Sequence, residues 1–165
     1  MNTEAIKQLR FREAKLREEV KNECGFILRE AVKDIFEEYP HVESLGWNQY
    51  TPYFNDGDEC VFCIDTDYII LNGVDDFDDE ATPFRKEIIK KYDLPEDTYF
   101  YSFTKQTPAH EEYLKLIAHL IEPRKQMREI LKAVGDDILK NIFGDHVTVT
   151  IHRDGRVITE DYEHD

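Results

Sequence analysis

Cys60 and Cys63 stand in a Cys-x-x-Cys spacing, in a chain that carries one further thiol, Cys24, and six histidines. Zinc needs a second such pair, or histidines at matching intervals. Neither is present, because His41, His110, His119, His146, His152 and His164 are scattered. Residues three apart on a strand also face opposite sides, so the pair reads as one buried and one partly exposed thiol. The densest charge cluster is Asp75, Asp76, Asp78, Asp79 and Glu80. It lacks the central Gly and the twelfth-position Glu of an EF-hand loop. Three readings stay open for it: a weak cation site, a solvated loop, or an acidic contact surface for a basic partner. The P-loop, the dinucleotide fingerprint, the Gly-x-Ser-x-Gly elbow and the His-Glu-x-x-His motif are missing. The reading therefore leans away from an enzyme, with an enzyme of unrecognised type as the weaker alternative, and no catalytic residue, metal or cofactor is assigned.

A second concentration of useful side chains lies in residues 47–58. Trp47, Gln49 and Tyr53 offer aromatic surface and polar tips, and Asn55, Asp56 and Asp58 add hydrogen-bonding groups. Aromatics with a polar handle suit both pockets and protein interfaces. The plainer reading folds the loop back on a sheet, with Tyr50 and Phe54 completing the core.

These residues need elements to hold them. Residues 3–39 carry apolar side chains at helical spacing and predict one long charged helix that ends before Pro40. Its first half, residues 3–24, alternates in charge and is thin in apolar residues, which suggests a projecting arm or coiled-coil-like segment. Gly25 is a candidate bend. Residues 41–50 and 59–71 read as two strands of a hairpin whose loop includes Thr51-Pro52 and Asn55-Asp56-Gly57. An acidic loop over 72–84 leads to a short helix from Phe84, then a third strand at 98–103. Thr107-Pro108 opens a strong helix that Pro123 is expected to kink and Gly135 to interrupt. A further helix runs to Gly144. Val147, Val149 and Ile151 alternate with Thr148, Thr150 and His152 before an Asp154-Gly155 turn and a return strand. Residues 31–47 and 136–152 share a faint helix–strand repeat. Together these predict a single α+β domain: an antiparallel sheet of hairpins with helices on one face.

The run WNQYTPYFNDGDECVF, from residue 47 to 62, resembles a motif of small proteins encoded in phage and bacterial genomes. That motif is W-x-Q-Y-T-P-Y-F-N-D-G followed by an acid, any residue, Cys and then an aromatic; here Val61 stands between Cys60 and Phe62. The family has no assigned activity. The resemblance implies a shared hairpin core and a phage or bacterial origin, and it transfers no catalytic residue.

Charge narrows the function classes. Among 165 residues, 36 Asp and Glu face 21 Lys and Arg, for a net charge of −15. Such a surface repels nucleic acid and anionic membranes and attracts basic proteins. No apolar run reaches the ~20 residues of a membrane span, and the polar start with three thiols fits a reducing cytoplasm. The expected function is an acidic cytoplasmic interaction protein that binds and inhibits a host protein with a basic surface, by possible mimicry of nucleic acid. Asp75, Asp76, Asp78, Asp79 and Glu80, with the C-terminal Glu160, Asp161 and Glu163, would form the contact. A homodimer through the N-terminal helix is a further expectation. The alternative is a small-molecule sponge with its pocket under the 47–58 loop.

Overall fold

The computed structural model describes residues 3–54, 57, 59–75, 77–98, 100 and 107–163, with side chains at all of these except 3 and 77–79. Among the described residues four helices and five short strands follow one another: α1 (Thr3–Glu38), β1 (Ser44–Tyr50), β2 (Cys63–Ile64), β3 (Ile70–Leu71), α2 (Phe77–Tyr92), α3 (Pro108–Val134), α4 (Asp136–Phe143), β4 (Val147–His152) and β5 (Val157–Asp161). This is the α+β layout that the patterns predict, including the long N-terminal helix.

The sheet is antiparallel throughout, in the order β2-β1-β4-β5 with β3 also on β1. Its register sets which side chains meet. Leu45 pairs with Ile151, Trp47 with Val149 and Gln49 with Val147, so these six share one face. Against that face pack Leu28, Val32 and Ile35 of α1, Met127 and Leu131 of α3 and Leu139 of α4. The opposite row, Asn48, Thr148, Thr150 and His152, is half-buried, and Thr148 Oγ1 donates to Asn48 Oδ1 at 2.7 Å. A second cluster joins α2 to the first half of α3 through Ala81, Ile88, Tyr113 and Ile117. Phe84 packs against both clusters and ties them together.

Several sequence expectations change. The strand over 59–71 is two short pairings with a loop between them. Gln49 faces Ile64 while Gly46 faces Ile70, so six steps of chain oppose three, and the excess bulges out. Arg128 steadies the bulge by donating to Thr66 O at 2.7 Å. The acidic loop is shorter than expected, because α2 begins at Phe77. Asp78, Asp79 and Glu80 therefore occupy its first turn, where the helix dipole favours negative charge. α1 runs unbroken through Gly25, so the glycine makes no break there, and α3 runs unbroken through Pro123. A proline removes the donor to the carbonyl four residues back. Here that carbonyl is His119 O, and His41 Nε2 lies 2.9 Å from it. Most of the strand expected at 98–103 lies outside the described residues.

Charged side chains close the helix ends. The last turn of α1 has no basic residue, and Arg153 supplies one from beyond β4. Its guanidinium donates to Phe36 O at 2.7 Å, Tyr39 O at 2.8 Å and Val42 O at 2.5 Å. Arg124, buried on α3, donates to Ile69 O, Leu120 O and Val74 O and pairs with Glu80. It thereby holds α2, α3 and the end of β3 together.

Candidate functional site

Residues 47–54 divide at Pro52 into an interior part and a surface part. Trp47 and Gln49 are both 0% exposed. The indole Nε1 donates to Gln49 Oε1 at 3.0 Å, and Gln49 Nε2 donates to Gly144 O at 2.6 Å and Leu139 O at 3.3 Å. The Trp47 ring meets Phe143 edge-on at 5.5 Å. Both polar groups are thus satisfied inside the protein, as burial requires. This corrects the expectation that Trp47 and Gln49 line a binding surface or ligand pocket. They fasten β1 to the C-terminal end of α4.

Thr51 continues the same work at the rim. Its N–H donates to Asp145 Oδ1 at 2.8 Å and its hydroxyl to Asp145 Oδ2 at 2.7 Å. Lys140 Nζ reaches Asp145 Oδ2 at 2.8 Å and lies 4.7 Å from the centre of the Phe62 ring. Burial alone would raise the Asp145 carboxyl, but the hydrogen bonds from Lys140 and Thr51 outweigh it and bring the group down to about 2. The tight turn at Gly144, Asp145 and His146 puts His146 at φ 54°. Its ring stacks on Tyr53 at 4.8 Å with an interplanar angle of 11°.

Beyond this knot the chain turns outward. Tyr53 is 65% exposed and Phe54 79%, and Val61 on the far side of the loop is exposed as well. The reading in which Phe54 completes the core is therefore corrected. Tyr50 is half-buried, 5.4 Å from the Tyr162 ring. Asn55, Asp56 and Asp58 lie outside the described residues. The loop thus presents apolar surface from a firmly tethered base: Tyr53 lies flat on His146, and Thr51 binds Asp145.

The acidic cluster is dispersed by comparison. Asp75 is exposed, whereas Glu80 is spent on Arg124. Asp76 and the side chains of Asp78 and Asp79 lie outside the described residues. On β5, Glu160 and Asp161 are exposed, as is Glu163 beyond it.

The thiols do not converge. Cys24, Cys60 and Cys63 are free and half-buried. Burial, followed by the negative charge of Asp65, Asp136 and Asp145, pushes the Cys63 thiol up, away from the reactive thiolate. Its Sγ lies 3.6 Å from Tyr50 O. Among the described residues no three His, Cys, Asp or Glu side chains gather to hold a metal ion, and no helix is long and apolar enough to cross a membrane.

Sequence reasoning missed Lys140, Asp145, Arg124 and Arg153. Each acts across a large sequence separation, and none belongs to a motif. The one local signal was Gly144-Asp145 after a helix, a turn whose aspartate is free to reach another element. Comparison of the chain with family models, with curated proteins and with solved structures finds no match in any of the three.

Proposed function

We propose that this protein acts by binding rather than by catalysis, and that it docks on a basic surface of another protein through the loop that follows Thr51. The observation that carries this reading is the exposure of Tyr53 and Phe54 on a base locked by the Thr51–Asp145–Lys140 knot. An exposed aromatic held by a stacking partner, as Tyr53 is by His146, loses little entropy on binding, and aromatics are typical anchors of protein interfaces. The charge of the segment that carries them selects the partner. Between residues 34 and 84 the chain has fourteen Asp and Glu and no Lys or Arg. An aromatic anchor in so acidic a segment suits a basic face and speeds encounter with it. The phage or bacterial origin implied by the resemblance at 47–62 is compatible with a host protein as the target, and inhibition is the outcome proposed. The cytoplasm as the place, and mimicry of nucleic acid by Asp75 and its neighbours, belong to the same proposal. The sponge reading is weaker, because Trp47 and Gln49 have no surface to offer a ligand.

The test is affinity purification of the tagged chain from a bacterial lysate at low salt, with native mass spectrometry of the eluate. One stoichiometric protein is expected, lost at high salt and lost in Tyr53→Ala/Phe54→Ala. A partner retained equally by that double variant would remove the loop from the interface. An eluate carrying only a small added mass would overturn the proposal in favour of ligand binding.

A further inference from the structure

The first half of α1 has no counterpart in the core. Every described side chain from residue 4 to residue 23 is exposed, and α1 as a whole extends about 54 Å. Yet the arm is not uniformly polar. Leu9, Leu16, Val20 and Ile27 are 52–68% exposed. At about 100° per residue these four fall within about 40° of one another on the helix. Leu28, Val32 and Ile35, which face the core, lie about 80–140° away on the same wheel. The stripe is therefore a second apolar face, separate from the one that packs. Glu13, which interrupts it, is held by Arg17 at 2.7 Å. Beside the stripe, α4 supplies Ile138 and Ile142 to an open groove shared with Leu16 and Val20.

Charge identifies the occupant. Residues 7–17 contain Lys7, Arg10, Arg12, Lys15 and Arg17 against Glu13 alone. Residues 18–30 contain Glu18, Glu19, Glu23 and Glu30 against Lys21 and Arg29. A parallel copy would set like charge on like. An antiparallel copy sets the basic half on the acidic half, twice, by symmetry. The geometry points to an antiparallel pair of α1 arms that makes the protein a homodimer. Leu16 of each copy meets Val20 of the other, and Leu9 meets Ile27. In that register Arg12 of one arm lies beside Glu23 of the other, on the same flank of the stripe. The pairing lies on α1 and does not depend on the partner reading of the loop that follows Thr51.

Sedimentation velocity of the full chain tests this. The wild type is expected to sediment as a dimer, and Leu16→Asp/Val20→Asp as a monomer with unchanged Trp47 fluorescence. Arg12→Glu and Glu23→Arg should each weaken the dimer by about tenfold, while the double variant restores it. Rescue is the signature of antiparallel contact, because parallel arms never bring positions 12 and 23 together. A wild-type chain still monomeric at roughly 100 µM would overturn the dimer. Dimerisation without rescue would overturn the antiparallel arrangement. Tyr53→Ala/Phe54→Ala should leave the dimer intact, which keeps this result distinct from that of the partner experiment.

Discussion

Replacing Asp145 tests the knot that fixes the loop. Its carboxylate accepts from Thr51 N–H, the Thr51 hydroxyl, Lys140 and His146 N–H, at 2.8, 2.7, 2.8 and 3.0 Å. Charge-assisted hydrogen bonds are worth about 1.5–3 kcal/mol each when well shielded. The Asp145 side chain is 28% exposed, and the Lys140 pair is partly screened, so the whole set is worth about 2–3 kcal/mol. Asp145→Ala should therefore lower Tm by about 4–12 °C at neutral pH, in a chain of this size. Asp145→Asn, which keeps one acceptor, should lose about half of that. The pH dependence has a definite sign. The folded carboxyl sits at about 2, below its ordinary 3.8, so the unfolded chain takes up the proton first as pH falls. The charge contributes fully above about pH 5 and is lost progressively as the pH falls to about 2 and below, a change of about 1–2 kcal/mol after screening. Thermal melts of wild type and Asp145→Asn from pH 7 to pH 2 read this directly. The gap between them should close in acid. A gap constant across the range, or absent at pH 7, would refute the reasoning.

Other positions test other joints. Gln49→Leu leaves Trp47 Nε1 and Gly144 O without their partner in the interior, and urea unfolding should show a loss of about 2–4 kcal/mol. Gly46→Ala places a Cβ 2.8 Å from Val149 O. That atom is backbone of the neighbouring strand and cannot step aside, so a loss of about 1–3 kcal/mol in the same assay is expected, and an unchanged midpoint would show that the sheet has room. Arg124→Met strands the Glu80 carboxylate and should cost about 3 kcal/mol, with Glu80→Gln in the same chain recovering part of it.

What could be read from the sequence was what repeats locally. The long helices follow from apolar spacing, and the β4–β5 hairpin from alternation and its Asp154-Gly155 turn, where Gly155 takes φ 85° and Asp154 accepts from Arg156 N–H. The break between β2 and β3 was hidden, because Ile64, Ile69, Ile70 and Leu71 look like one strand. Only the register against β1 shows the surplus residues between them. The start of α2 was hidden for the opposite reason. Its acids resemble a solvated loop, and the same acids suit the first turn of a helix. Among the candidate site residues, Trp47 and Gln49 were found for the right chemistry and given the wrong role. An aromatic and an amide two apart on a strand share a face, and composition does not say whether that face looks inward.

The faint repeat between residues 31–47 and 136–152 has a structural counterpart. α1 leads into β1 and α4 into β4, and these two strands pair antiparallel at the centre of the sheet with return strands outside them. Each central strand then secures the helix–strand junction of the other half. Arg153, just past β4, holds the carbonyls of Phe36, Tyr39 and Val42 between α1 and β1. Gln49 and Thr51, at the end of β1, hold Leu139 O, Gly144 O and Asp145 between α4 and β4. The jobs correspond while the side chains differ, which is why the repeat is so weak in sequence. It also follows that the run from Trp47 to Thr51 is accounted for by the fold alone. Under the proposed function, selection for binding would act at Tyr53 and Phe54 and along the outer stripe of α1, which are exposed, and substitution there should change association while leaving the fold of the single chain intact.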